Sequence, residues 1–149
     1  MSGALQDPDQ AVVVFSDTCD LPLLRLLKRG FRHCFVVLRR GGAWVVVDPL
    51  AHRTVVDLVP GCLARDADEV AALYRARGLS AVVVPVAEPP HRLAPVRLHT
   101  CVETVKRLLG RRAAGVFTPA QLHAYLIEER HKCCKTEKVL DGFAAPAYD

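Results

Sequence analysis

A chain of 149 residues, 51% hydrophobic and 24% charged, is long enough to bury one core and short for two, so a single domain over 1–149 is expected. No apolar run approaches the roughly 20 residues of a membrane-spanning helix, and the polar opening "MSGALQDPDQ" does not read as a secretory signal, so the default location is cytoplasmic. The net charge of +4, mostly arginine, excludes a strongly acidic surface, and the six cysteines lack framework spacing and read as reduced thiols.

The run "AVVVFS" (11–16) predicts a strand, and "CDLPLLRLLKRG" predicts a short helix with Asp20 at its N-cap, leucines at helical spacing and Gly30 as its stop. "FRHCFVVL" and "AWVVVD" are β-rich runs joined by "RRGG", a hairpin signal, and "TVVDLV" (54–59) follows as a third adjacent strand. Asp66 and Glu69 bracket a capping box before "VAALYRAR", Gly78 ends that helix, and "SAVVVPV" completes a strand, helix, strand unit. The proline-rich "AEPPHRLAP" (87–95) predicts a linker. Helices follow from about Cys101 to Leu109, stopped by Gly110, and from Pro119 behind Thr118 as N-cap. Periodicity fades after "EERHKCC", so residues 1–10 and about 131–149 are expected to be flexible tails. The layout is α+β, a central, mostly antiparallel sheet with helices packed on it.

Within that layout "HTCVETVKRLLG" (99–110) offers a nucleophile. Thr100 and Glu103 have capping-box spacing, which puts Cys101 in the first helical turn, where unpaired N–H groups and the helix dipole favour a thiolate. Cys101 also shares a stripe with Val105 and Leu108, so buried filler is the competing reading. A nucleophilic cysteine needs a base. His33 lies in phase with Phe31, Phe35 and Val37, and a symmetric turn of two residues (Arg40, Gly41) or four (Arg39 to Gly42) sets it directly opposite Asp48. The carboxylate would orient the imidazole and stabilise its protonated form. A turn of odd length would break that pairing, and a strand-ending role before Pro49 is the competing reading for Asp48.

A histidine opening one strand, a polar residue on the next and a cysteine at a downstream helix N-terminus resemble the circularly permuted branch of the papain-like cysteine peptidases. That branch is related to the NlpC-type cell-wall peptidases and the lecithin:retinol acyltransferase group. The segments "GFRHCFVV", "WVVVDP" and "TCVETVKRLLG" are also similar to small proteins of bacteria and their phages. The resemblance implies a permuted papain-like topology, with Cys101 as nucleophile, His33 as base and Asp48 as the orienting residue. It implies a peptide or amide substrate, such as bacterial cell-wall peptide (peptidoglycan), processed through an acyl-enzyme with no cofactor. It also admits an inactive scaffold serving as a bacterial or phage interaction module, and delivery by phage or another secretion route. The related acyltransferases carry "NC" where this chain has Thr100 before Cys101, and His52 is a rival to Asp48 as orienting residue. The oxyanion hole would use the Cys101 N–H and a second donor, for which the loop "SDTCD" (16–20) is the candidate.

His131, Cys133 and Cys134 form "HKCC", but this spacing matches no common zinc pattern, and nothing in the sequence selects Cys19, Cys62 or His123 as a fourth ligand, so no metal is expected. Cys34 alternates away from His33 and reads as core; Cys19 and Cys62 have no assigned role. His91 and His99 flank the linker, and His99 lies close to the nucleophile helix in sequence. The clusters "RLLKRGFRH", "LRRGG" and "KRLLGRR" read as solvated faces. With 6% aromatic residues and no recognised motif, a basic nucleic-acid-binding protein is the weakest alternative.

Overall fold

A strand whose residues are apolar without alternation has no face to offer water, and Ala11 to Phe15 accordingly form the buried centre of the fold, each at 0% exposure. The computed structural model describes residues 10–19, 21–40, 42–59, 66–88 and 98–140, with side chains through 132. Five strands, β1 (Gln10–Ser16), β2 (His33–Arg40), β3 (Ala43–Pro49), β4 (Thr54–Val59) and β5 (Ser80–Pro85), form one antiparallel sheet in the order β4, β3, β2, β1, β5. Helix α1 (Ala67–Ala76) covers one face over Val12, Val14, Val37 and Trp44. Helices α2 (Cys101–Leu108) and α3 (Pro119–Leu140) cover the other over Val13, Phe15, Cys34 and Val36. The fold is therefore α+β. The connection from β4 through α1 to β5 crosses the sheet from edge to edge, because β5 pairs with β1 and not with β4.

Three helices begin where side-chain oxygens take up orphan N–H groups. Asp66 accepts from Glu69 N at 2.9 Å, Thr100 Oγ1 from Glu103 N at 3.2 Å, and Thr118 Oγ1 from Gln121 N at 3.3 Å. Gln121 returns the bond, its Oε1 accepting from Thr118 N at 3.0 Å, which completes a reciprocal box. Each such cap contributes about 1 kcal/mol.

The structure differs from the sequence expectation in two stretches. The leucine-rich segment after β1 forms only a short 3-10 helix, Pro22–Leu26, with no buried residue. Leu23 and Leu26 are 73% and 84% exposed, so the packing that sustains a short helix is missing. The expected cap, Asp20, lies outside the described residues. At the other end, α3 runs through "EERHKCC" to Leu140 despite its weak periodicity, with Glu128 and Lys132 paired one turn apart at 2.7 Å. Residues 1–9 and 141–149 lie outside the described set. Among the described residues no helix is long and apolar enough to cross a membrane.

Lys106 anchors α2. Its ammonium, on a residue only 3% exposed, donates to Ala113 O and Val116 O, each at 3.0 Å, and pairs with Glu103 Oε2 at 2.9 Å. Removing a buried charge's partner leaves the rest uncompensated. Lys106→Ala should cost about 3 kcal/mol in urea unfolding; a loss below about 1 kcal/mol would show that the site relaxes around the gap.

Candidate active site

The turn between β2 and β3 decides what His33 meets. Arg40 pairs with Ala43 and Val36 with Val47, so the loop lies one residue further along than either symmetric turn expected from the sequence. Gly42 adopts φ +82°, a conformation in which a side chain costs about 1 kcal/mol, so the turn settles on the glycines and the arginines stay in β2. Continuing this register sets Phe35, not His33, opposite Asp48, which corrects the expected direct pairing. The displacement is two residues. Because strand side chains alternate with period two, His33 and Asp48 still share a face as diagonal neighbours. Their side chains close that diagonal, with His33 Nε2 at 2.6 Å from Asp48 Oδ1. His52, the rival orienting residue, is exposed in the loop after β3.

The thiol arrives from the other layer. Cys101 is the first residue of α2, behind Thr100, and is half-buried against the cluster that contains Cys34, Val102 and Val105. His33 is the first residue of β2, so its ring stands at the end of the sheet, where interactions with Cys101 and Asp48 act on the imidazole. With Nε2 directed at Asp48, Nδ1 is the nitrogen left for the sulfur.

Electrostatics polarise the pair. The Cys101 thiol is lowered to about 5, first by a hydrogen bond to the Cys34 side chain; burial opposes this, and hydrogen bonds to the His33 ring and the Cys34 backbone reinforce it. Burial by itself pulls the His33 imidazole down, but hydrogen bonds to Cys101 and Asp48 and their negative charges outweigh it and leave the imidazole above its ordinary value. A lowered thiol beside a raised imidazole favours thiolate and imidazolium together near neutral pH.

Cys34 is the residue whose part at the site the sequence reading missed. It is core, as expected, at 0% exposure, and its interaction with Cys101 together with burial holds its thiol well above the ordinary value. Strand alternation carried the signal, because the face opposite His33 is the one on which α2 packs. Ser16 was also missed; it pairs with His33 across β1 and β2 and is buried with no hydrogen-bond partner for its hydroxyl. Tyr74 of α1 stands edge-on to Phe35 at 5.5 Å. Burial raises its hydroxyl, with Arg77 opposing and the Asp48 charge adding to the rise.

Other candidates have other work. Asp17 accepts from Gly30 N at 2.8 Å and Arg32 Nη1 at 3.3 Å, fastening the start of β2, and the Cys19 thiol donates to Leu21 O at 2.9 Å. Neither side chain is thus available as the second oxyanion donor expected from loop 16–20. His123 packs against Phe15 and Phe31 at 5.1 and 4.8 Å, and burial, with the nearby Lys28, lowers its imidazole. His99 and His131 are exposed. Cys62, His91 and the side chains of Cys133 and Cys134 lie outside the described residues, among which no group of three potential metal ligands occurs. Two cations expected on solvated faces are instead partly buried and paired, Arg32 with Asp17 at 3.3 Å and Arg111 with Glu129 at 3.1 Å, whereas Arg107 is exposed and pairs with Glu103 at 3.3 Å. An apolar hollow lined by Val84, Pro85, Leu126 and Arg130 is remote from His33, since Val84 pairs with Ala11 and Ala11 with Leu38, far along β2.

No protein-family model, curated protein or solved structure matches the chain.

The His33 and Asp48 contact has a direct spectroscopic consequence. In Asp48→Asn the imidazolium loses its carboxylate, so the His33 midpoint in an NMR titration should fall. A midpoint identical to that of the unmodified protein would contradict the pairing.

Proposed function

We propose that the protein is a thiol hydrolase or acyltransferase acting on peptide or amide carbonyls, on a papain-like scaffold in circularly permuted order. The observation that carries this reading is the His33 to Asp48 contact at 2.6 Å, with Cys101 among the groups whose interaction raises the same imidazole. A carboxylate, an imidazole and a thiol joined in that sequence are the parts of a nucleophilic triad. The chain order of histidine, polar residue, then cysteine at a helix N-terminus supports the permuted assignment.

In this mechanism the Cys101 thiolate attacks the carbonyl carbon, and charge develops on the carbonyl oxygen beside the N–H groups of the first turn of α2. The His33 imidazolium then gives its proton to the departing amine, leaving a thioester on Cys101 and a neutral imidazole. Water, or an acceptor amine or alcohol, delivers its proton to that imidazole as it attacks the thioester. The carbon–sulfur bond breaks and the thiolate and imidazolium are restored. Asp48 keeps the ring in the tautomer and orientation that both halves require. Bacterial cell-wall peptide is the substrate we propose, on the strength of the resemblance.

A second reading, an inactive scaffold used for interaction, is favoured by one observation, the 8% exposure of His33. Activated acyl donors separate the two. With a peptide thioester and with a p-nitrophenyl ester, intact-mass measurement should find an acyl adduct on Cys101, lost in Cys101→Ala and formed roughly a hundredfold more slowly in His33→Ala. Digestion of purified cell-wall peptide tests the substrate. No adduct at Cys101 supports the scaffold reading, and an unchanged rate in His33→Ala removes the triad.

A further inference from the structure

We infer that the turn between β1 and β2 is a membrane-contact surface, its leucines entering the interface of an anionic lipid bilayer while Arg25, Lys28 and Arg29 meet the headgroups. The inference does not require Cys101 to be the reacting group.

The geometry of a 3-10 helix sorts this turn into faces. With three residues per turn, side chains at i and i+3 lie one above the other. In Pro22–Leu26 and its C-cap, Leu24 and Leu27 form the half-buried row, whereas Leu23 and Leu26 form a row turned to solvent, 73% and 84% exposed, beside Leu21 at 48%. Pro22 and Arg25 form the third row, also exposed. Leucines so placed contribute nothing to the core. The tip is nonetheless fastened at its base: Asp17 accepts from Gly30 N at 2.8 Å and Arg32 Nη1 at 3.3 Å, and Arg32 Nη2 donates to the Arg25 carbonyl at 3.3 Å. A fastened loop that already presents its apolar side chains loses little entropy on binding.

Charge selects the occupant. From 21 to 47 the chain carries no acidic residue, and Arg25, Lys28 and Arg29 are exposed around the leucines. Arg25 and Arg29 form no side-chain ion pair among the described residues, and Lys28 lies over the Phe31 ring at 5.5 Å. Exposed apolar side chains on β4 have a different setting, since Asp57 separates Val56 from Leu58. Hydrocarbon beside negative charge is what the surface of a bilayer containing anionic lipid offers. A five-residue helix is small for a protein partner, because stable interfaces bury roughly 800 Å² a side. The turn joins Ser16 to His33, cross-strand partners at one end of the sheet, so docking by the tip brings the His33 end toward lipid.

The test is cosedimentation of the full chain with vesicles of phosphatidylcholine, alone or mixed with phosphatidylserine. Binding to the mixed vesicles is expected, weaker with added salt and weakest to phosphatidylcholine alone. Leu23→Ser with Leu26→Ser should weaken it about tenfold or more, and Arg25→Gln with Arg29→Gln also about tenfold or more. Val56→Ser with Leu58→Ser should leave it unchanged. All these side chains are exposed, so the circular dichroism of each variant should match that of the unmodified protein. Leu26→Trp reads insertion directly: its indole emission should shift to the blue on mixed vesicles, with the buried Trp44 as a constant background. No binding to mixed vesicles, or binding that the leucine substitutions do not change, overturns the inference. Emission from Leu26→Trp that stays put while the chain sediments shows adsorption by charge alone and also overturns it. So does a dimer in gel filtration that Leu23→Ser with Leu26→Ser dissociates, which makes the tip a contact between copies.

Discussion

The period-two alternation of a β-strand is the constraint on which the candidate site depends. His33 opens β2, and its imidazole can meet Asp48 only because the hairpin register differs from direct opposition by an even number of residues. One residue of slip would turn His33 to the α2 side and Cys34 to the α1 side. The base would then lie in the apolar cluster under α2, and the carboxylate would face a thiol. Gly42 in the turn sets that register, because a positive φ is cheap only at glycine. The chemistry proposed for Cys101 therefore begins with backbone preferences at a turn some distance along the hairpin from the histidine.

The second requirement is that α2 bring its first residue to the end of β2. Val102, Val105 and Leu109 press the helix onto the sheet, and Lys106 ties it to the following loop through two carbonyls and to Glu103. Thr100 caps it. With the helix so fixed, Cys101 begins α2 against the cluster that contains Cys34, and His33 opens β2. Burial works against both the thiolate and the imidazolium taken separately. The interactions with Cys34 and His33 outweigh burial at Cys101, and those with Cys101 and Asp48 outweigh it at His33.

Much of this was legible in the sequence because it is written in short-range signals. Asp66, Thr100 and Thr118 declare helix starts, the valine runs declare strands, and the order of His33, Asp48 and Cys101 suggests a triad. Signals that depend on tertiary partners were not legible. The leucines of 21–27 have helical spacing but nothing to pack on, and the register of the hairpin hung on a one-residue choice between arginine and glycine in the turn. Cys34 was correctly placed in the core by strand alternation, but which helix would pack on that face depends on how α2 docks. The arginine clusters read as free charge because their partners, such as Asp17 and Glu129, come from distant segments.

The central claim is that the fold holds Cys101 as a thiolate against the His33 imidazolium, and the ultraviolet absorbance of the thiolate tests it most directly. Titrating the folded protein and taking the difference against Cys101→Ser isolates one sulfur. The account predicts a single step with its midpoint lowered to about 5, displaced upward in His33→Ala. A step in the ordinary thiol range, the same with and without His33, would contradict it.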